Sequence, residues 1–541
     1  MSASNPASGA GGPLVDGPHD PEHDPRASYV LEPAYVASLT SRIVATTGRT
    51  VPLSSPLDGA PLAQVPQSGP ADVEEAFRRA RAAQASWART PLAERSAAML
   101  RFHDLVLDRL PEILDLIGLE SGKARKHAYD EAAHTALTAR YYARTAHRHL
   151  DTERRPGVLP VLTRIDVNRV PKGVVGIISP WNYPFTMAIS DGLPALMAGN
   201  AVVAKPDAQT VLTALLGVQL LEEAGFPRDL WQVLAGPGRE LGTPMIERSD
   251  YVCFTGSTAT GRIIARQCAE RLIGCSLELG GKNPLLVLRD ADVEKAAEGA
   301  VRASFSNAGQ LCVSTERLFV ADQVYDRFVE RFVARTQAMT LGATLDWEND
   351  MGPLISADQL ETVRAHVDDA VAKGARVLAG GQARPDLAPY FHEPTILEGV
   401  TPDMTCFGDE TFGPVVSLYR FHDESDAIER ANDGDYGLNA AIYSRDGARA
   451  RAIARRIRCG TVNINEGFGA TFGSVDAPMG GMRESGAGRR QGSEGIHRYT
   501  ETQAVGTQRV LRIAPNLGMK AETHARLMTA GLRVLNKLGR A

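Results

Sequence analysis

From Asp72 onward the apolar positions Val73, Phe77 and Ala80 recur at helical spacing, and segments of the same kind continue to about His149. Asp151 to Arg169 (DTERRPGVLPVLTRIDVNR) breaks this rhythm with Pro156, Pro160 and β-branched residues, which predicts an excursion of strands leaving the domain. Beyond it the pattern changes to short apolar runs, Val174–Ile178, Ala201–Ala204, Gln232–Leu234, Tyr251–Phe254 and Ser276–Leu279, separated by segments of helix length and composition. Short apolar strands alternating with helices predict a parallel sheet covered on both faces. Ligands of such sheets sit at the carboxyl ends of the strands. A second α/β stretch is predicted from about Pro284 to Ala470, and Pro478 to Gly492 (PMGGMRESGAGRRQG) is glycine-dense. There is no internal repeat.

A chain of 541 residues exceeds what one core usually supports, so at least two domains are expected. With 43% hydrophobic and 23% charged residues the composition is that of an ordinary globular protein, and a formal charge of −5 offers nucleic acid no electrostatic purchase. The six cysteines include no CxxC pair, and no histidines stand at zinc spacing, so a reduced, cytoplasmic chain without metal is expected. No apolar run approaches the ~18 residues a membrane span needs, and the N-terminus lacks a signal peptide's basic and apolar regions. Residues 1-28 are rich in Gly, Pro, Ser, Asp and His and predict a disordered extension. A basic C-terminal extension is read over 509-541: from Arg512 to Ala541 basic residues at 512, 520, 526, 533, 537 and 540 face one acid, Glu522, and Leu527, Gly531, Leu535 and Leu538 could share a helix face. A solvated or subunit-packing helix is the first reading of this extension, and a peripheral membrane or partner contact the second.

Three stretches carry candidate chemistry. Ser304 to Arg317 (SFSNAGQLCVSTER) sets Cys312 behind a small, flexible run in which Ala308 and Gly309 would let backbone approach a ligand, with Gln310 beside the thiol. A thiol reacts as thiolate, so a base or positive dipole is expected near it, and a thiol so acidified would also be open to oxidation. Val252 to Gly261 (VCFTGSTATG) follows a strand and opens a helix, which turns N–H groups and the helix dipole toward an anion. Leu277 to Pro284 (LELGGKNP) places Glu278 between an apolar strand and two glycines, 34 positions before Cys312. Taken singly, each has a plain structural explanation: a buried thiol, a turn, a surface glutamate.

Together, from Val51 to Thr502, these stretches resemble the aldehyde dehydrogenase superfamily in motif order and spacing, and along the whole length the chain looks most like actinobacterial NADP-dependent succinate-semialdehyde dehydrogenases. The resemblance implies an α/β fold with a doubly wound cofactor domain (29-150 and 171-282), an α/β catalytic domain (283-475) and a small β oligomerisation arm (151-170 and 490-508), hence a homodimer or homotetramer. It implies Cys312 as nucleophile, Glu278 as general base, and Asn182 of Pro180-Trp181-Asn182-Tyr183-Pro184 as half of an oxyanion hole completed by the Cys312 N–H. It implies cofactor contacts from Trp181, Asn182, Lys205, Pro206, Asp207, Ala208, Gly256, Ser257, Leu279, Glu410 and Phe412.

Two positions depart from the family. NAD-preferring members often carry a glutamate where this chain has Ala208, so NADP is expected over NAD, with Asp207 the residue that could oppose it. The arginines that many succinate-semialdehyde dehydrogenases place on the substrate carboxylate align with Ser190 and Ser306, which leaves Arg317 and Arg458 as replacements to be tested. The competing readings are a broad-specificity NAD(P) enzyme for uncharged aliphatic or aromatic aldehydes, a CoA-acylating relative, a cysteine hydrolase, and a catalytically silent structural protein on this fold. The presence of Cys312, Glu278 and Asn182 together speaks against the silent protein, and the glutamate at 278 against CoA acylation.

Overall fold

The computed structural model describes residues 31–157, 163–508, 514–515 and 518–537. The predicted extension 1-28 lies outside them. The described residues form two compact units, one within 31–146 and 171–499 and one within 147–170 and 500–537.

In the first unit the helical rhythm read from Asp72 is the helix Pro70–Trp87, which buries Val73, Phe77 and Ala80. Pro70 suits the first turn, where an N–H would have no partner, and the Asp72 carboxylate accepts from Gly69 N at 2.8 Å and from Thr46 Oγ1 at 2.7 Å. Helices Leu92–Asp108 and Leu110–Ser121 follow, the latter stopped by Gly122 in the left-handed region.

The cofactor sheet has the order Gly486–Ala487, Gly274–Glu278, Tyr251–Thr255, Val174–Ile178, Ala201–Lys205, Trp231–Val233. All neighbours pair in parallel except Gly486–Ala487, which runs antiparallel to Gly274–Glu278. The five predicted strands are thus present, each within two residues of its expected bounds. The order reverses between Val174–Ile178 and Tyr251–Thr255, and this switch point opens a crevice at the carboxyl edge. The strand Gly486–Ala487 was not foreseen. Gly486 has φ +131, and a side chain there would collide with the Leu277 carbonyl, so the close pairing requires glycine.

The tetrapeptide 279–282 leads from Glu278 directly into a second sheet of seven strands, in the order Arg376–Ala379, Thr395–Glu398, Val415–Phe421, Thr315–Ala321, Asn283–Val287, Asn439–Tyr443, Thr461–Ile464. Only Arg376–Ala379 is antiparallel to its neighbour. The strands Asn283–Val287 and Thr315–Ala321 are buried throughout, and the stacked rings of Phe305, Phe328 and Phe332 fill the core beside them. The two sheets, expected as separate domains, belong to one compact unit.

The second unit holds a three-stranded sheet, Thr500–Gln508, Thr163–Pro171, Glu153–Pro156, whose last two strands pair antiparallel. The expected arm segment 490-508 is corrected at its start: Gly492–His497 is a helix of the first unit, and the strand begins at Thr500. The helix Ala521–Lys537 buries no residue and exposes Leu527, Leu532 and Val534. Among the described residues no helix is long and apolar enough to cross a membrane, and no group of three or more His, Cys, Asp or Glu is arranged to hold a metal.

Candidate active site

A cavity of about 240 Å³ lies where the carboxyl edge of the cofactor sheet meets the cysteine loop. Its lining brings together Trp181, Asn182, Gly256, Ser257, Glu278, Leu279, Cys312, Glu410 and Phe412, nine of the predicted residues. Lys205, Pro206, Asp207 and Ala208 stand outside it, at the end of the adjoining strand Ala201–Lys205 and the short 3-10 turn that follows.

The cysteine loop is fixed by its backbone. Asn307, Ala308 and Gly309 are consecutively left-handed, with φ of 52, 54 and 70, which turns the chain sharply out of the helix Val293–Phe305. Asn283 Nδ2 donates to the carbonyls of Cys312 (2.8 Å) and Ser314 (2.7 Å), and His127 Nδ1 accepts from Asn307 N at 3.2 Å. Two expectations are corrected here. A Cβ on Gly309 would strike the Gly413 carbonyl, so the small run admits the Glu410–Val415 segment rather than a ligand. Gln310 is buried away from the thiol, donating to Asn307 O at 3.1 Å and accepting from Ile355 N at 3.0 Å.

Asn182 follows the strand Val174–Ile178 and is buried; one of its amide hydrogens goes to Gln310 O at 3.1 Å, which aims the amide across the loop. Asn307 Nδ2 holds the same assembly from the other side, donating to Asn182 O and Gln310 O, each at 3.1 Å. Glu278 ends its strand, buried, and its Oε1 has no hydrogen-bond partner. Burial, with Asp191 nearby, raises its carboxyl to about 7 against the pull of Arg490, Arg498 and Arg489. That value suits proton transfer near neutrality.

The thiol departs from expectation. Burial first, then the charges of Glu278 and Glu410, push Cys312 up to about 12. It rests as a protonated thiol, and its activation depends on passing the proton to a base. Leu311, Val313, Tyr183, Met187, Leu438, Phe468, Phe472 and Met479 form the apolar cluster it packs on.

Glu410 accepts from Gly281 N at 2.7 Å, and burial with the charge of Glu316 raises it to about 8. The neighbouring backbone is held by Glu316, buried and ion-paired to Lys282, which accepts from the N–H groups of Thr411 and Phe412 at 3.0 Å. Phe412 sits left-handed at φ 51, a costly conformation for a bulky residue, and sets its ring edge-on to Trp181 at 5.5 Å. The helix Thr258–Glu270 begins at the cavity wall with Ser257 as its cap, and Lys205 ends its strand with Nζ bonded to the Pro206 carbonyl at 3.2 Å. Buried cation, helix N-terminus, carboxylate and aromatic edge are a donor set that fits the phosphates, ribose and ring of a nicotinamide dinucleotide.

Neither arginine replacement reaches the cavity. Arg317 is spent on the carbonyls of Lys282, Arg430, Ala431 and Asp433, and Arg458 is exposed outside the lining. Ser190 closes a π-helical turn, Thr186–Ser190, and bonds to Thr135, while Ser306 bonds back to Arg302 O. Sequence reading missed Arg490, the only guanidinium that lines the cavity among the described residues. Its only signal in the chain was a basic pair, Arg489-Arg490, inside a glycine-rich run.

Comparison with known proteins agrees with this geometry. The model of the aldehyde dehydrogenase family matches residues 43–505. A protein of Mycolicibacterium smegmatis, provisionally named succinate-semialdehyde dehydrogenase [NADP(+)], is 52% identical over 487 residues, 90% of this chain and 94% of that one. A 3-sulfolactaldehyde dehydrogenase of Pseudomonas putida is 36% identical over 88% of this chain and 97% of its own. The crystal structure of a succinate-semialdehyde dehydrogenase from Burkholderia pseudomallei superposes with a TM-score of 0.82 at 35% identity, covering 86% of this chain and 96% of that one. The chain, with its thiol, carboxylate and amide gathered at the edge of a doubly wound sheet, belongs to the aldehyde dehydrogenase family.

Proposed function

We propose that this enzyme oxidises succinate semialdehyde to succinate with NADP. Glu278 takes the proton of Cys312, and the thiolate sulfur bonds to the aldehyde carbon while the carbonyl π electrons move to oxygen. Asn182 Nδ2 and the Cys312 N–H hold that oxyanion. The oxidised nicotinamide, when bound, supplies the acceptor for the carbon's hydride. Glu278 first releases the proton it took to solvent, and the Cys312 thioester is then hydrolysed as the freed carboxylate draws a proton from water; the new C–O bond replaces the C–S bond, and the leaving thiolate takes that proton from Glu278.

The observation that carries the chemistry is the convergence of Cys312, Glu278 and Asn182 on one cavity. Support for the substrate comes from the full-length similarity to proteins bearing that name. Support for NADP comes from position 208, an exposed alanine, and from Asp207, whose carboxylate is occupied in capping Gln209 N at 2.9 Å. Lys205 is then unopposed by a carboxylate at 208 and can meet a 2′-phosphate. Ser190 and Ser306, each bonded internally, and the apolar cluster around Cys312 favour a second reading, an enzyme for uncharged aldehydes.

Initial rates of NADPH formation with succinate semialdehyde and with butanal separate the two. The first reading expects kcat/KM at least tenfold higher for the semialdehyde, about 1.4 kcal/mol of transition-state discrimination. Equal or inverted values would reject it.

A further inference from the structure

Behind the base lies a group of charges that the reaction sequence above does not use. Asp191 is buried and stands 2.7 Å from Arg490 Nη2 and 3.0 Å from Arg498 Nη2. Side chains of all three are less than a tenth exposed. Arg498 donates from Nη2 to Asp191 Oδ1 and from Nη1 to Ser276 Oγ at 3.2 Å, on the strand that ends in Glu278. Arg490 is held less completely. Nη1 reaches the Met187 sulfur at 3.3 Å, and Nη2 makes a charge contact with Asp191 that is not aligned as a hydrogen bond. It also lines the cavity that contains Glu278 and Cys312.

Two guanidinium groups around one carboxylate leave one unbalanced positive charge in a buried place, which is costly by itself. In the same cavity Glu278 Oε1 is buried without a hydrogen-bond partner. The charges facing Glu278 are Arg490 and Arg489 from the loop before the helix Gly492–His497, Arg498 from beyond that helix, and Asp191 from the turn after Thr186–Ser190; the thiol of Cys312 comes from its own loop, with Glu410 acting on it. Arg489 is turned to the carbonyls of Gly481 and Gly488, which leaves the Asp191 cluster as the reserve of charge. When Glu278 ionises, two cations meet two anions and the buried group is neutral.

We infer that Arg490 is the positioning residue of the general base: with Asp191 and Arg498 it forms a buried charge reserve, left one positive charge in excess, that is balanced only when Glu278 is a carboxylate. The inference rests on the reading of Glu278 as base. On this reading Arg490 acts through Glu278 and not on the substrate: it sets where on the pH scale Glu278 can accept a proton. Removing a cation beside a carboxyl raises its pKa, so loss of Arg490 shifts the acid limb of activity upward, and loss of Asp191 shifts it downward.

The test is the pH profile, from 5.5 to 9.5, of cofactor-independent 4-nitrophenyl acetate hydrolysis, with kcat for succinate semialdehyde and for butanal measured alongside. For Arg490→Gln the acid limb moves up by about one unit, activity at pH 7 falls about fivefold as the ionised fraction of Glu278 drops from about a half to about a tenth, and most of it returns by pH 9. Arg490→Lys keeps the limb near its wild-type place. An unmoved limb with activity lowered evenly at every pH would reduce Arg490 to a structural role and overturn the inference. A loss confined to succinate semialdehyde, with butanal and the limb unchanged, would overturn it in favour of a substrate contact. If Arg490→Gln does not give folded protein, Asp191→Asn decides: a limb shifted down upholds the inference, and one that stays or rises defeats it. Glu278→Gln that left ester hydrolysis intact at all pH would instead reject the base assignment itself.

Discussion

Replacing Glu278 by glutamine should have opposite effects on the two groups it faces. As a base it is lost, and loss of a general base typically lowers a rate by 10²–10⁴-fold, about 3–5 kcal/mol of barrier. Yet the charge of Glu278 is the largest cause, after burial, that holds the Cys312 thiol up at about 12. The amide keeps the shape of the carboxyl and removes that charge, so the thiol becomes more acidic. A drop of about one unit is 1.36 kcal/mol and gives on the order of tenfold more thiolate at any pH below the pKa. The assay is alkylation of the cofactor-free protein by iodoacetamide between pH 7 and 10, followed by mass spectrometry of the Cys312 peptide, beside steady-state turnover of the same samples. Cys275, the other half-buried cysteine, serves as internal control. Faster alkylation at Cys312 together with slower turnover is the expected pair. Alkylation at or below the wild-type rate across this range would refute the electrostatic account and mean that Glu278 activates the thiol even in the resting protein.

Ala208→Glu places a carboxylate at the exposed position beside Lys205 and should lower the NADP/NAD ratio of kcat/KM by at least tenfold, read from initial rates with each cofactor; an unchanged ratio would remove position 208 from the explanation. Lys123→Met strands Glu131, whose fully buried partner it is at 2.8 Å, and should cost about 3–5 kcal/mol of stability by denaturant unfolding. Part of that loss returns in Lys123→Met/Glu131→Gln, because the stranded charge is gone; a single variant as stable as wild type would mean that Glu131 is carried there as the neutral acid.

Much of this arrangement was legible in the chain because it is local. The alternation of apolar runs with helical segments gave the five parallel strands of the cofactor sheet. The motifs after Ile178, Thr255 and Leu277 fall where strands end, which is where such sheets bind ligands. What escaped depends on contacts between distant residues. The strand Gly486–Ala487 is two residues long, with no apolar pattern, and exists because the edge of Gly274–Glu278 was open. Arg490 looked like one of many surface arginines, and only the fold reveals that its partner is Asp191, 299 positions earlier. Gln310 and Gly309 illustrate the converse: residues beside a reactive cysteine in sequence prove to be spent on Ile355 and Gly413. The thiol's resting state was misjudged for the same reason, since a sequence shows the cysteine and not the two carboxylates converging on it.

The pairing of Glu278 with Gly486 also orders events in time. A ribosome adding about 5–20 residues per second completes Cys312 roughly 10 to 35 s before Ala487. Throughout that interval the base has an unpaired edge, Leu279 N lacks its acceptor at Ser485 O, and the residue at position 490 has yet to be made. A chain cut short between Cys312 and Ala487 carries the nucleophile, but not the segment that closes over the base. The reactive centre is therefore completed late, by a segment made long after its nucleophile, and a chain cut within that interval is born without it.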